Sequence, residues 1–177
     1  MRSVLGRPKI SRKVRIFPNP DRSGLPEILQ QYIARASIPD LALSVPIRIA
    51  WKNTALKFKP VANWSPVNFE QINFLAEPVR LIHMWFQLWG LIPKEGMDSY
   101  LGGKGRMLVR LLKHFKMSDV TGPKMDQPEL VTLLAETMLI PAYRVQQYMQ
   151  WKIIDRQTIE GTITHRGISA SGIFLFQ

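Results

Sequence analysis

Residues 26–51 read PEILQQYIARASIPDLALSVPIRIAW, and the apolar period changes inside that stretch. From Pro26 to Ser37, the residues Ile28, Leu29, Tyr32, Ile33 and Ala36 fall at the three- and four-residue spacing that paints one face of a helix. Pro26 suits a first turn, where its missing N–H leaves no hydrogen bond unmade, and Pro39 stops the helix. From Val45 the period is two. Val45, Ile47, Ile49 and Trp51 alternate with Pro46, Arg48 and Ala50, as in a strand with one wet face. Pro46 has no N–H for a ladder, which puts this strand at an edge or a bulge.

Outward from that point the two-residue period continues. Leu56 and Phe58 alternate with Lys57 and Lys59 after an expected turn at Lys52-Asn53. Val67, Phe69, Gln71 and Asn73 extend the meander, and Leu81–Trp89 and Arg106–Lys116 read as longer strands. Between them KEGMDSYLGGKG, residues 94–105, has four glycines and reads as a hairpin turn. A second helix is expected from Asp126, which stands at capping-box spacing from Glu129. Leu130, Leu133, Leu134, Thr137, Met138 and Pro141 trace its apolar stripe, and Pro141 ends it. Further strands are expected at Gln150–Ile154, Thr158–His165 and Gly172–Phe176. Strands and helices in this order predict an α+β fold: a curved, half-barrel-like antiparallel β-meander with two helices packed on it.

The composition bounds the rest. Of 177 residues 46% are hydrophobic, with five Trp and eight Phe, enough for a core. The net charge is +11, an excess that favours anionic partners. Arg2, Arg7, Lys9, Arg12, Lys13 and Arg15 precede any acidic residue, so six of those charges sit in a Pro- and Gly-rich arm, residues 1–24. Residues 25–177 read as one domain. There are no cysteines, which excludes disulfides and thiolate-held metals. The greasiest run, LIHMWFQLWGLIP at 81–93, is too short to span a bilayer, which takes roughly 20 apolar residues.

From Leu25 onward the wording resembles a family of uncharacterised bacterial domains. The matching segments are LPEILQQYIARA, TALKFKPVANWSPVNFEQ, GKGRMLVRLLKHFKMSDVTGPKMDQPELVTLLAETMLIPAY and WKIIDRQTIEGTITHRGISASGIFLF. The most specific block is DQPELVTLLAETMLIPAY, residues 126–143, followed by Trp151 and Asp155. The resemblance supplies no catalytic residues. It implies a strand-and-helix order similar to the bacterial lipoprotein-carrier half-barrel. Many members of the family continue past the position of Gln177, so the chain reads as C-terminally incomplete beside them. Many also carry a membrane segment or signal ahead of the domain, which this sequence lacks.

Catalytic patterns are weak. His83, His114 and His165 fall in separate expected strands without metal-helix spacing. Glu129 and Glu136, seven apart, can share one helix face, where Glu136 is expected to pair with an arginine of the sheet and an acid–base role is the alternative. The GISASG run departs from GxSxG, and Ser169 and Ser171 are expected in a turn; GGKG lacks P-loop spacing. No metal or cofactor is implied.

The binding case rests on two features. Trp85, Phe86 and Trp89, with Met84 and Leu88, put large apolar groups on both faces of one strand. Either a helix covers the second face or that face lines an apolar cavity, for which Leu134 and Met138 are the facing candidates. The basic arm is the second feature; with only Phe17 for stacking it fits anionic lipid better than nucleic acid. The expected function is a non-enzymatic binding domain for an apolar or lipid-like ligand at a membrane surface. The alternatives are an enzyme of unknown reaction and a partner-binding domain completed by strand addition. For the last, the uncharged GIFLFQ edge is expected to drive self-association.

Overall fold

The computed structural model describes residues 24–35, 46–57, 60–61, 63–88 and 90–176. The six basic arm residues and Trp89 lie outside these. So do the end of the first expected helix at Ser37, Val45 at the start of the first strand, and the Phe58–Lys59 pair.

Helix α1 spans Glu27–Arg35, and its Leu29 and Ile33 are buried as the spacing predicts. Six antiparallel strands follow as an up-and-down meander: β1 Ile47–Leu56, β2 Ser65–Phe74, β3 Val79–Leu88, β4 Ile92–Leu101, β5 Lys104–Leu111 and β6 Phe115–Thr121. Helix α2, Pro123–Glu136, and a single 3-10 turn at Pro141–Tyr143 lead to a second antiparallel sheet of β7 Met149–Ile153, β8 Thr158–His165 and β9 Ile168–Leu175. The fold class is α+β as expected. The strands divide into a curved six-stranded sheet and a three-stranded one, and they do not close into a barrel.

The two helices share one face of the small sheet. Leu29 and Ile33 of α1 pack on Ile159, with Trp151, Phe174 and Phe176 around them. Leu130, Leu133 and Leu134 of α2 join Tyr100 of β4 and Ile163 and Ala170 of β8 and β9 in the main core. Helix α2 is therefore the layer between the two sheets.

Five details differ from the sequence reading. Lys52-Asn53 does not reverse the chain. β1 runs through it with a bulge between Trp51 and Thr54, and Asn53 takes a φ of 57°, which its short polar side chain tolerates. Residues 94–101 are strand, not turn: only Gly102 and Gly103, at φ 59° and 84°, make the hairpin. Gly96 is instead a packing glycine, where a Cβ would stand 3.0 Å from the Met84 Cε. Arg106–Lys116 is broken at Leu112 and Lys113, whose φ values of 51° and 67° make a tight turn without glycine or asparagine. Finally, α2 begins at Pro123 after Gly122, with no side-chain cap. Asp126 is buried within it and accepts hydrogen bonds from the Gly105 N–H at 2.8 Å and Lys104 Nζ at 3.2 Å. The serine run is strand as well: Ser169 and Ser171 lie in β9 and bond Thr164 and Thr162 across the pair, and the turn is at Arg166-Gly167.

Candidate functional site

Strand alternation gives β3 two distinct faces. Arg80, Ile82, Met84 and Phe86 share one, with Gln71, Asn73, Asp98 and Tyr100 opposite them in register. This is the face that receives α2. His83, Trp85 and Gln87 point the other way, away from α2. The helix covers the Arg80 end of one face of β3, and the other face carries an open cleft.

The cleft measures about 970 Å³ and is lined on the α2-free face by Trp85, Pro66 and Pro93; Phe86 and its register partner Lys94 also border it, although strand alternation assigns them to the other face. Its floor is one row of directly opposed residues across four strands: Asn68, Trp85, Glu95 and Arg110. His83 Nε2 lies 3.4 Å from Glu95 Oε2, and Arg110 Nη1 is 3.8 Å from the other carboxylate oxygen. The His83 ring stacks at a tilt on Trp85 with centroids 5.0 Å apart, which fixes the indole against the floor. Lys94 Nζ stands 5.3 Å over the Phe86 ring. Lys113 and His114, from the β5–β6 turn, complete the basic side of the rim. Glu95 is already engaged by His83 and Arg110, so Lys113 leaves the lining of this face with a positive balance. An aromatic floor with a basic rim can hold the apolar body of a ligand and orient a negative end.

On the α2 side, the titratable groups are buried. Arg80 donates to Asp98 at 2.7 Å, Glu129 at 2.8 Å and Glu136 at 2.9 Å. Gln71 Nε2 donates to Glu136 at 2.6 Å and to Asn73 Oδ1 at 3.0 Å, and the Tyr143 hydroxyl donates to the same Asn73 oxygen at 3.1 Å. Burial works against the Arg80 charge, but Glu136, Asp98 and Glu129 outweigh it and hold the guanidinium above its ordinary value. Three carboxylates around one cation cannot all ionise cheaply. Burial first, and then the neighbouring Asp98, push the Glu129 carboxyl up to about 8 against the pull of Arg80. The expected Glu136–arginine pair is real. The cluster clasps α2 onto β2, β3 and β4.

The sequence-predicted ligand residues therefore separate. Trp85 and Phe86 both line the cleft. Leu134 is in the core between α2 and the small sheet, and Met138, just past α2, accepts a hydrogen bond from Arg144 Nη2 at its sulfur. Neither comes near Trp85. The residues that sequence reasoning missed are Glu95, Arg110 and Lys113. Glu95 falls in the stretch read as turn, and Arg110 and Lys113 in one read as a single unbroken strand. The available signal was the LLKH segment, where a reversal brings the lysine back beside the tryptophan strand.

Among the described residues, no helix is long and apolar enough to cross a membrane, which leaves strand-built spans unaddressed. No curated protein and no solved structure matches the chain. The chain belongs to a family of unknown function, DUF6544, whose model matches residues 15–177.

Proposed function

We propose that this member of the family is a non-enzymatic binding domain for an apolar or lipid-like ligand, seated in the cleft against Trp85. The supporting observation is the cleft itself. Its volume of about 970 Å³ lies at the upper end of ligand-sized sites, which run from roughly 300 to 1,000 Å³. Trp85, 38% exposed, offers a large rigid apolar surface at its floor. An enzyme is the weaker reading because the strongly perturbed carboxyl, Glu129, serves the clasp rather than the cleft.

The test is direct titration with a fluorescently labelled dodecanoic acid, below the concentration at which it forms micelles. Truncating an aromatic anchor typically costs about 2 kcal/mol, so Trp85→Ala is expected to weaken binding roughly thirtyfold. Leu134→Ala, distant from the cleft, is expected to leave the affinity unchanged while the protein remains folded. Equal affinity of the wild type and Trp85→Ala would refute the reading.

A further inference from the structure

An up-and-down meander puts alternate turns at the same end. In the six-stranded sheet the connections β1–β2, β3–β4 and β5–β6 gather at one end, and β2–β3 and β4–β5 at the other. The first end is both greasy and basic. Val61 is 96% exposed, Leu91 82%, and Trp64 and Phe115 65% each, one or two from every connection. Single exposed apolar residues are ordinary, but four from three neighbouring turns are not. The described residues of the same segments, 57, 60, 61, 63 and 64, 90 and 91, and 112–117, include Lys57, Lys113, His114 and Lys116 and no acidic residue. Lys57 Nζ lies 5.3 Å over the Trp64 ring, joining the cation to the aromatic. At the other end Leu75 is buried and Glu77 exposed, and Leu101, 59% exposed, is the one large apolar residue that its described turns present strongly to solvent. The cleft reaches the first end, since Gly90, Lys113 and His114 line it.

We infer that this end of the sheet is a docking surface for an anionic lipid membrane, with Trp64, Leu91 and Phe115 entering the interface and the lysines facing the headgroups. The charge decides the occupant. Tryptophan and phenylalanine settle at the headgroup boundary, where lysines reach anionic lipid with their apolar stems still buried. A lipid surface accepts protruding side chains from separate turns without a matching shape, which a protein partner would have to supply. This inference rests on the cleft reading only for its purpose, which is to bring the cleft mouth to the surface from which a lipid-like ligand would come. The surface shares Lys113 and His114 with the cleft rim, but its apolar residues Val61, Trp64, Leu91 and Phe115 do not line the cleft.

The full chain is to be co-sedimented with vesicles of phosphatidylcholine alone and with vesicles containing phosphatidylserine, at low and at physiological salt. Binding is expected only with the anionic lipid and is expected to weaken with salt. The Leu91→Glu/Phe115→Glu variant adds two like charges and removes two apolar anchors, so its partitioning is expected to fall at least roughly tenfold. Its dodecanoate binding and melting temperature are expected to match the wild type. Lys57→Glu/Lys116→Glu, at two exposed lysines outside the cleft lining, gives a second reading should the first variant misfold. Trp85→Ala is expected to keep vesicle binding, so failure of the cleft reading and failure of this one are seen separately. The inference is overturned if the wild type ignores anionic vesicles, if folded variants of both kinds bind them as the wild type does, or if deleting residues 1–23 abolishes all binding.

Discussion

Arg80 shows how much one buried cation determines. Its guanidinium gathers carboxylates from β4 and from two turns of α2, and so the six-stranded sheet and the helix are held by the same charge. The surplus of negative charge is relieved by the proton on Glu129. Folded Glu129 keeps that proton to about pH 8, whereas its ordinary value is 4.5. Between those values the native state holds a proton that the unfolded chain releases, so this group makes stability fall as pH rises. Its contribution is complete below the unfolded value and is gone once pH passes the folded one. Glu129→Gln keeps the shape and cannot ionise. Chemical denaturation between about pH 5 and pH 8 is expected to show a smaller loss of stability with rising pH in this variant than in the wild type. Parallel stability curves would show that Glu129 is not protonated in the fold. At this scale half of the cluster was legible. Glu129 and Glu136 lie seven apart on one stripe, and that spacing alone predicts a shared face and a sheet arginine. Asp126 was misread because its spacing from Glu129 imitates a cap. The helix begins three residues earlier, at Pro123 after Gly122, and the Asp126 carboxylate is drawn instead to the Gly105 N–H.

At the scale of elements, the middle of α2 was the most legible: Leu130, Leu133 and Leu134 are all in the core, but the helix stops at Glu136, short of Thr137 and Met138, and Pro141 opens the 3-10 turn instead of ending the helix. Leu134→Ala is expected to cost about 2–5 kcal/mol in a denaturation experiment, the range for a fully buried leucine that leaves a cavity. A loss well under 1 kcal/mol would mean that the helix is not the central layer. The strands were harder to divide, for a physical reason. Turn prediction leans on glycine, proline and asparagine, yet the β5–β6 turn uses Leu112 and Lys113 at positive φ. Conversely, Gly96 and Gly105 look like turn residues and are places of close approach, to Met84 and to the Met125 carbonyl. The consequence reached the site, because Glu95 can be placed opposite Trp85, and Arg110 opposite Glu95, only once residues 94–101 are strand and the reversal is at Gly102-Gly103.

For the whole molecule, the two faces of the large sheet divide the work. One face is closed by α2, the buried ion cluster and the small sheet beyond. The other bears the cleft, and one end of the sheet presents aromatic and basic turns beside it. Trp85 and Phe86 were readable as binding candidates because they break the strand's alternation. Leu134 and Met138 were not separable from them, since sequence alone does not say which face a helix takes. The central claim is that the α2-free face of β2 to β5 receives the ligand. The most direct measurement is amide chemical-shift mapping by NMR during titration with dodecanoate. The account predicts shifts concentrated on the row Asn68, Trp85, Glu95 and Arg110 and on Lys113 and His114, with Leu130, Leu133 and Leu134 unmoved. Shifts centred on α2 and its sheet contacts, or none at saturating ligand, would contradict it.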